Sequence, residues 1–133
     1  MNRESNTNKQ LFIIDGQLIG AILYIVSIII SIIIILDQRR SVLNEESILT
    51  SNESQTLALA NKIFILLLIL WFLYLNYKSY QFAKSTNQDT SALKLQIFSS
   101  FLAVIGGIIG LYVVYTNFSN TNLQTAEIEN PNF

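Results

Sequence analysis

The chain has 133 residues, of which 51% are hydrophobic and 13% are charged, and its formal net charge is −1. A soluble domain typically carries about a quarter of its residues as charged side chains, so this composition excludes an ordinary soluble fold. Cysteine and histidine are both absent, which excludes disulfides, thiol nucleophiles and the usual zinc and haem ligands. The near-neutral charge provides no basic field for nucleic acid.

The first element along the chain is an apolar run at residues 18–36. Every position in it is apolar except Ser27 and Ser31. As a helix, the run is about as long as the hydrocarbon core of a bilayer is thick. A secretory signal would be shorter and would end at small residues, whereas this run ends at the polar sequence Asp-Gln-Arg-Arg. We therefore expect it to be retained as a membrane span.

The polar segment after this run carries two local signals. Apolar residues recur among the charges of residues 37–46, which predicts that the first helix continues as a surface-lying extension. A break near Thr50 follows, because Thr50 and Glu53 have the spacing of a capping box. In that motif the hydroxyl and the carboxylate satisfy N–H groups at the start of the second helix.

Two more apolar tracts complete the fold prediction. With the first span at residues 15–36, the second is predicted at 57–78 and the third at 93–116. Lipid offers no partner for a free backbone N–H or C=O group, so all three spans must be helical. The polar connection at residues 85–89 is short, which makes helices two and three antiparallel neighbours. The prediction is an all-α integral membrane protein of one domain, with three transmembrane helices, a hairpin of helices two and three, and a disordered tail at 119–133.

The distribution of basic and aromatic residues predicts the orientation. Five lysines and arginines lie on the side of the N-terminus and the second loop, and the other side has Arg39, Arg40 and, at its edge, Lys62. The positive-inside rule then places the N-terminus in the cytoplasm and the C-terminus outside. Aromatic residues from Trp71 onward crowd the end of helix two beside Lys78, which is typical of a headgroup belt and is favoured over a ligand-stacking cage.

Small residues are expected to control packing, because helices in lipid approach closely only where their side chains are small. Helix one carries Gly16, Gly20, Ser27 and Ser31, and helix three carries Ser99, Ala103, Gly106, Gly107 and Gly110. Helix two is bulky throughout residues 63–75, so we predict that the small faces of helices one and three meet while helix two faces lipid or a partner. These faces suit packing within the chain, which we favour, or self-association and docking on another membrane protein.

Polar side chains within spans are the usual pointers to function in membrane proteins. Lys62 is interpreted as a snorkelling anchor in preference to a transport residue. Asp15 is interpreted as a helix cap or a surface ion pair in preference to a proton-coupling group. Asn61 and Asn76 are predicted to make hydrogen bonds between helices.

Chemistry-bearing motifs are missing from the sequence. Neither paired carboxylates in a span nor a serine with a nearby base can be identified, and the acidic residues of the first loop read as a solvated face and not as a metal site. We therefore expect no catalytic residues, no cofactor, no metal and no nucleic-acid partner.

The sequence NKIFIL at residues 61–66, followed by WFLYLNYK at residues 71–78, resembles small, uncharacterised three-span membrane proteins of AT-rich bacterial genomes. The resemblance covers mainly helix two and its flanks. It implies a bacterial plasma-membrane setting and no activity or functional residues.

Three classes of function remain, with the lipid bilayer as the common partner. The first and favoured class is a non-enzymatic accessory or regulatory subunit that docks on a larger membrane complex through helix–helix contacts. The second is a homo-oligomeric pore or holin-like protein, although holins usually end in a basic tail and this tail is acidic. The third is a small transporter, which would be expected to place a carboxylate at mid-membrane.

Overall fold

The computed structural model describes residues 3–119, and it folds into three long α-helices with no strand in that part of the chain. The helices are α1 (Arg3–Val42), α2 (Ser51–Ser85) and α3 (Ser91–Ser119), joined by loops at residues 43–50 and 86–90. At 1.5 Å per residue they are about 60, 52 and 44 Å long, so each exceeds the roughly 30 Å thickness of the hydrocarbon core. Each contains a stretch apolar enough to cross a membrane. The predicted all-α fold with three membrane-spanning helices is confirmed, and the tail beyond Ser119 lies outside the described residues.

The start of α2 is determined by local sequence. The Thr50 hydroxyl accepts a hydrogen bond from the Glu53 N–H at 3.1 Å, and the Glu53 carboxylate accepts one from the Thr50 N–H at 2.9 Å. Two of the N–H groups that a helix start leaves without partners are thereby satisfied. The predicted capping box is confirmed.

Both α1 and α2 are followed by an asparagine in the left-handed backbone conformation. Asn44 has a φ of 58° and Asn87 a φ of 60°, and asparagine is one of the few non-glycine residues that adopts such a φ at low cost. In both loops the N–H of the following residue bonds to the carbonyl five residues back, at 2.9 and 2.8 Å, as in a Schellman motif. α1 therefore ends at Val42, and the helical extension predicted through residue 46 is shorter than expected.

The arrangement of the helices centres on α2. It packs against both α1 and α3, and the short loop after it produces the predicted antiparallel hairpin with α3. α1 and α3 share little beyond a cluster in which Ile34, Ala58 and Val114 pack together. The prediction that the small faces of α1 and α3 meet is wrong.

Complementary shape explains this outcome. The Phe72 ring of α2 lies against Gly20 of α1, and Leu66 of α2 lies against Gly107 of α3. A bulky side chain set into the space over a glycine makes many close dispersion contacts. The large side chains of α2 therefore fill the space over the small residues of the other two helices.

Candidate functional site

Three buried polar side chains join α1 to α2 inside the apolar part of the bundle. Ser27 Oγ donates to Asn61 Oδ1 at 3.0 Å, and Asn61 Nδ2 donates to Ser31 Oγ at 2.9 Å and to the Ser27 carbonyl at 3.4 Å. The three residues are at most 2% exposed. The two serines are one helical turn apart on α1, so a single amide on α2 reaches both. Both polar atoms of the Asn61 amide, the oxygen and the nitrogen, thus have partners at a buried position.

Lys62 follows directly on α2 and is 6% exposed. Asn61 bonds to Ser27, which stands at the midpoint of the apolar run 18–36, so Lys62 is enclosed at hydrocarbon depth. A lysine that snorkels to the headgroups would be more exposed than Lys62 is. Ionisable residues in such places are costly and commonly functional. We refer to Ser27, Ser31, Asn61 and Lys62 as the polar cluster.

The polar cluster provides hydroxyl, amide and amine groups for hydrogen bonding. None of its four members is a carboxylate. Within residues 3–119, no group of three His, Cys, Asp or Glu side chains comes together to hold a metal ion. The cluster is therefore suited to joining α1 to α2 by hydrogen bonds.

A second polar contact ties α1 to α2 toward the N-terminal end of α1. The indole Nε1 of Trp71 donates to the Gly16 carbonyl at 3.0 Å. The neighbouring Asp15 is exposed, and within residues 3–119 it forms no ion pair. Because α1 runs without interruption from Arg3, Asp15 lies inside the helix. The predicted capping role for Asp15 is therefore wrong.

One polar contact joins α2 to α3, where Asn76 Nδ2 donates to Ser100 Oγ. Asn61 and Asn76 thus both make hydrogen bonds between helices, as the sequence predicts. They lie on the central helix and connect it to different neighbours, so the polar contacts follow the same arrangement as the apolar packing.

The small residues of α3 divide into two sets. Gly107 is buried against α2, and a methyl group placed on it would lie 3.0 Å from the Leu66 side chain. A methyl group placed on Gly110 would meet nothing within 4 Å. Ser99 is exposed, and Ala103 and Gly106 are half-buried. The fold therefore uses one glycine of α3 for close approach and leaves space beside another.

Two side chains with structural roles were missed by the sequence analysis. Asp37 is 5% exposed, and its Oδ1 accepts hydrogen bonds from the N–H groups of Ile48 at 2.7 Å and Leu49 at 3.0 Å. It holds the first loop against the end of α1. The sequence contains a sign of this role, because Asp37 comes directly after an apolar run and shortly before a loop. The role of Ser100 as the partner of Asn76 depends on the register of α2 against α3, which the sequence does not specify.

Comparisons of the chain with protein-family models, with curated proteins and with solved structures give no match. Function must therefore be inferred from the geometry of this fold.

Proposed function

We propose that the protein is a non-enzymatic accessory or regulatory subunit of a membrane complex, and that it docks on its partner through α3. The observation that carries this proposal is the exposure of α3 in its own fold. In the most apolar stretch of α3, 6% of residues are buried, compared with 22% in α1 and 28% in α2. α3 packs closely against one helix, and most of its surface faces outward.

The docking face on α3 is the row Ser99, Ala103, Gly106 and Gly110. These residues recur at intervals of three and four, so they lie on one side of the helix. Gly110 is open to a neighbouring helix, because no atom of the fold approaches the position of its missing side chain. Small residues at this spacing are what allow two backbones to approach closely in lipid.

The proposed setting is a bacterial plasma membrane, with the N-terminus and the loop between α2 and α3 in the cytoplasm. The support for this orientation is the basic charge on that side, where Lys78, Lys84 and Lys94 join two basic residues near the start of α1. The first loop, with its two consecutive glutamates, then lies outside.

Affinity purification from native membranes in mild detergent tests the proposal. The tagged chain is expected to elute with one foreign membrane protein at comparable abundance. Gly110→Leu fills the docking face and is expected to abolish this association, because the added side chain occupies the space of the partner helix. It should leave the fold intact, since nothing within 4 Å opposes a side chain at that position.

Ala21→Leu is the matched control, because it adds similar bulk at an exposed position of α1. It should retain the partner. Recovery of the chain alone, as a defined oligomer, would contradict the accessory role and direct the next experiment to conductance and flux. Retention of the partner by the Gly110→Leu variant would contradict docking through this face.

A further inference from the structure

A cleft of about 1020 Å³ opens between the N-terminal part of α1 and the C-terminal part of α2. Its walls combine apolar and aromatic side chains with polar and charged ones. The apolar and aromatic members are Phe12, Ile13, Tyr74 and Phe82. The charged members are Glu4, Lys9 and Lys78, and the remaining lining is polar.

The depth of this cleft matches the boundary between hydrocarbon and headgroups. Its apolar residues on α1 lie just before the run 18–36, and Tyr74 lies at the end of the bulky run 63–75 on α2. A span needs about 20 residues to cross the hydrocarbon, so both helices leave the apolar layer close to these positions. Polar residues of the cleft, such as Lys9 on α1 and Gln81 on α2, lie farther toward the aqueous side. Except for Phe82, which lies on the aqueous side, the lining of the cleft therefore changes from apolar to polar along the membrane normal.

The charge balance in the cleft favours an anion. Lys9 and Lys78 provide two ammonium groups against the single carboxylate of Glu4. The Lys78 Nζ lies 5.6 Å from the centroid of the Tyr74 ring, a cation–π distance that holds it at the wall. Within residues 3–119 neither lysine forms an ion pair. Both ammonium groups remain available to a ligand.

We propose that this cleft binds one phospholipid with a net anionic headgroup. The phosphate lies between Lys9 and Lys78, and the glycerol and upper acyl chains pack against Phe12 and Ile13. A zwitterionic lipid gains less, because its own cation opposes the two lysines. A free phosphate would leave the apolar wall uncovered. The site is independent of the partner proposed for α3, because it lies between α1 and α2.

Trp71 provides an intrinsic reporter for this site. It is the only tryptophan of the chain, and its ring stacks on Tyr74 with centroids 5.7 Å apart. Bromine atoms on lipid acyl chains quench nearby tryptophan fluorescence. The full chain is reconstituted in phosphatidylcholine vesicles, and quenching by brominated phosphatidylglycerol is compared with quenching by brominated phosphatidylcholine. We expect phosphatidylglycerol to be preferred by roughly fivefold or more, because one to two lysines beside an anionic headgroup contribute an electrostatic attraction of that size.

The double variant Lys9→Gln/Lys78→Gln is expected to lose this preference. The matched control is Lys84→Gln/Lys94→Gln, which removes the same charge from the same side of the protein at exposed positions that do not line the cleft. It should retain the preference. Circular dichroism of both variants checks that the helices are intact.

Three results would overturn the proposal. Equal quenching by the two lipids would show that the cleft does not select an anionic headgroup. An equal loss in both double variants would assign the preference to the basic surface as a whole. Displacement by millimolar glycerol 3-phosphate in solution would identify a soluble phosphate compound as the occupant in place of a lipid.

Discussion

The buried side-chain amide of Asn61 takes part in three hydrogen bonds. Its partners are a hydroxyl and a carbonyl of Ser27 and the hydroxyl of Ser31. Hydrogen bonds between transmembrane helices contribute about 0.6 kcal/mol on average and up to about 1.7 kcal/mol. The polar cluster therefore stabilises one arrangement of α1 against α2, because a shift of either helix would leave the amide buried without partners.

Asn61→Ala is expected to lower the free energy of unfolding by about 1–2 kcal/mol, since it removes the bonds to both serines. Unfolding in mixed micelles, followed by circular dichroism, measures the change. In a Ser27→Ala/Ser31→Ala background the same substitution should cost clearly less, because its partners are already gone. Equal costs in the two backgrounds would show that the three side chains are not energetically coupled.

Glycine has a different role in this chain from its common role in turns. All five glycines are in helices, and none has a positive φ. The left-handed positions are occupied by Asn44 and Asn87 instead. Gly16 and Gly20 serve close approach, since a methyl group there would lie 2.9 Å from Leu75 and 2.6 Å from Phe72, respectively.

At the scale of elements, capping and turn chemistry define the helix boundaries. The loop between α2 and α3 shows this most clearly. Asp89 Oδ1 accepts hydrogen bonds from the Ser91 N–H at 3.0 Å and from the Ser91 hydroxyl at 2.9 Å. The bond from the backbone N–H of Ser91 is the main cause that lowers the pKa of Asp89 below its ordinary value of 3.8, with smaller contributions from the hydroxyl and from Lys94.

A pH dependence of this turn follows. A carboxylate with a lowered folded-state pKa stabilises the turn fully above pH 3.8, and this contribution is lost as the pH falls through the lowered value. The Ser91 amide resonance, followed by NMR in micelles, should therefore titrate with a midpoint below 3.8. Asp89→Asn should remove the titration. A midpoint at or above 3.8 in the wild-type chain would contradict the hydrogen bonds seen here.

At the scale of the whole molecule, the central position of α2 is the main organising feature. Each outer helix contacts α2 through at least one glycine and at least one polar bond, namely Trp71 to Gly16 and Asn76 to Ser100. Most of the large apolar side chains of α1 and α3 are exposed, as expected of side chains that face lipid. The outer helices can therefore contact other membrane components while α2 maintains the fold.

Cross-linking tests this arrangement, and the absence of native cysteine makes introduced pairs unambiguous. The pair Ser31→Cys/Asn61→Cys joins α1 to α2, and the pair Asn76→Cys/Ser100→Cys joins α2 to α3. Both are expected to form disulfides on mild oxidation in membranes, because the native side chains are in hydrogen-bond contact. The pair Ser27→Cys/Gly110→Cys represents contact between the small faces of α1 and α3, since both positions accept a cysteine without a steric clash, and it should remain reduced. A disulfide in this third pair, with none in the first two, would contradict a central α2.

Much of this fold can be derived from the sequence, because the relevant forces act locally or through the solvent. Lipid requires that each apolar run satisfies its own backbone polar groups, which leaves three helices as the solution. The capping box at Thr50 and the hairpin of α2 and α3 depend only on near neighbours in the chain. The interhelical use of Asn61 and Asn76 follows from the cost of an unpaired amide in lipid.

The choice of neighbours depends on tertiary structure, because it depends on shape over long sequence separations. Small residues on α1 and α3 indicate that something packs closely against them, but they do not specify whether the partner is flat or bulky. The register of α2 determines that Phe72 meets Gly20, that Lys62 is enclosed and that Lys9 and Lys78 border one cleft. These placements arise from the packing of 35-residue α2 against two other helices, and no segment of the sequence contains that information alone.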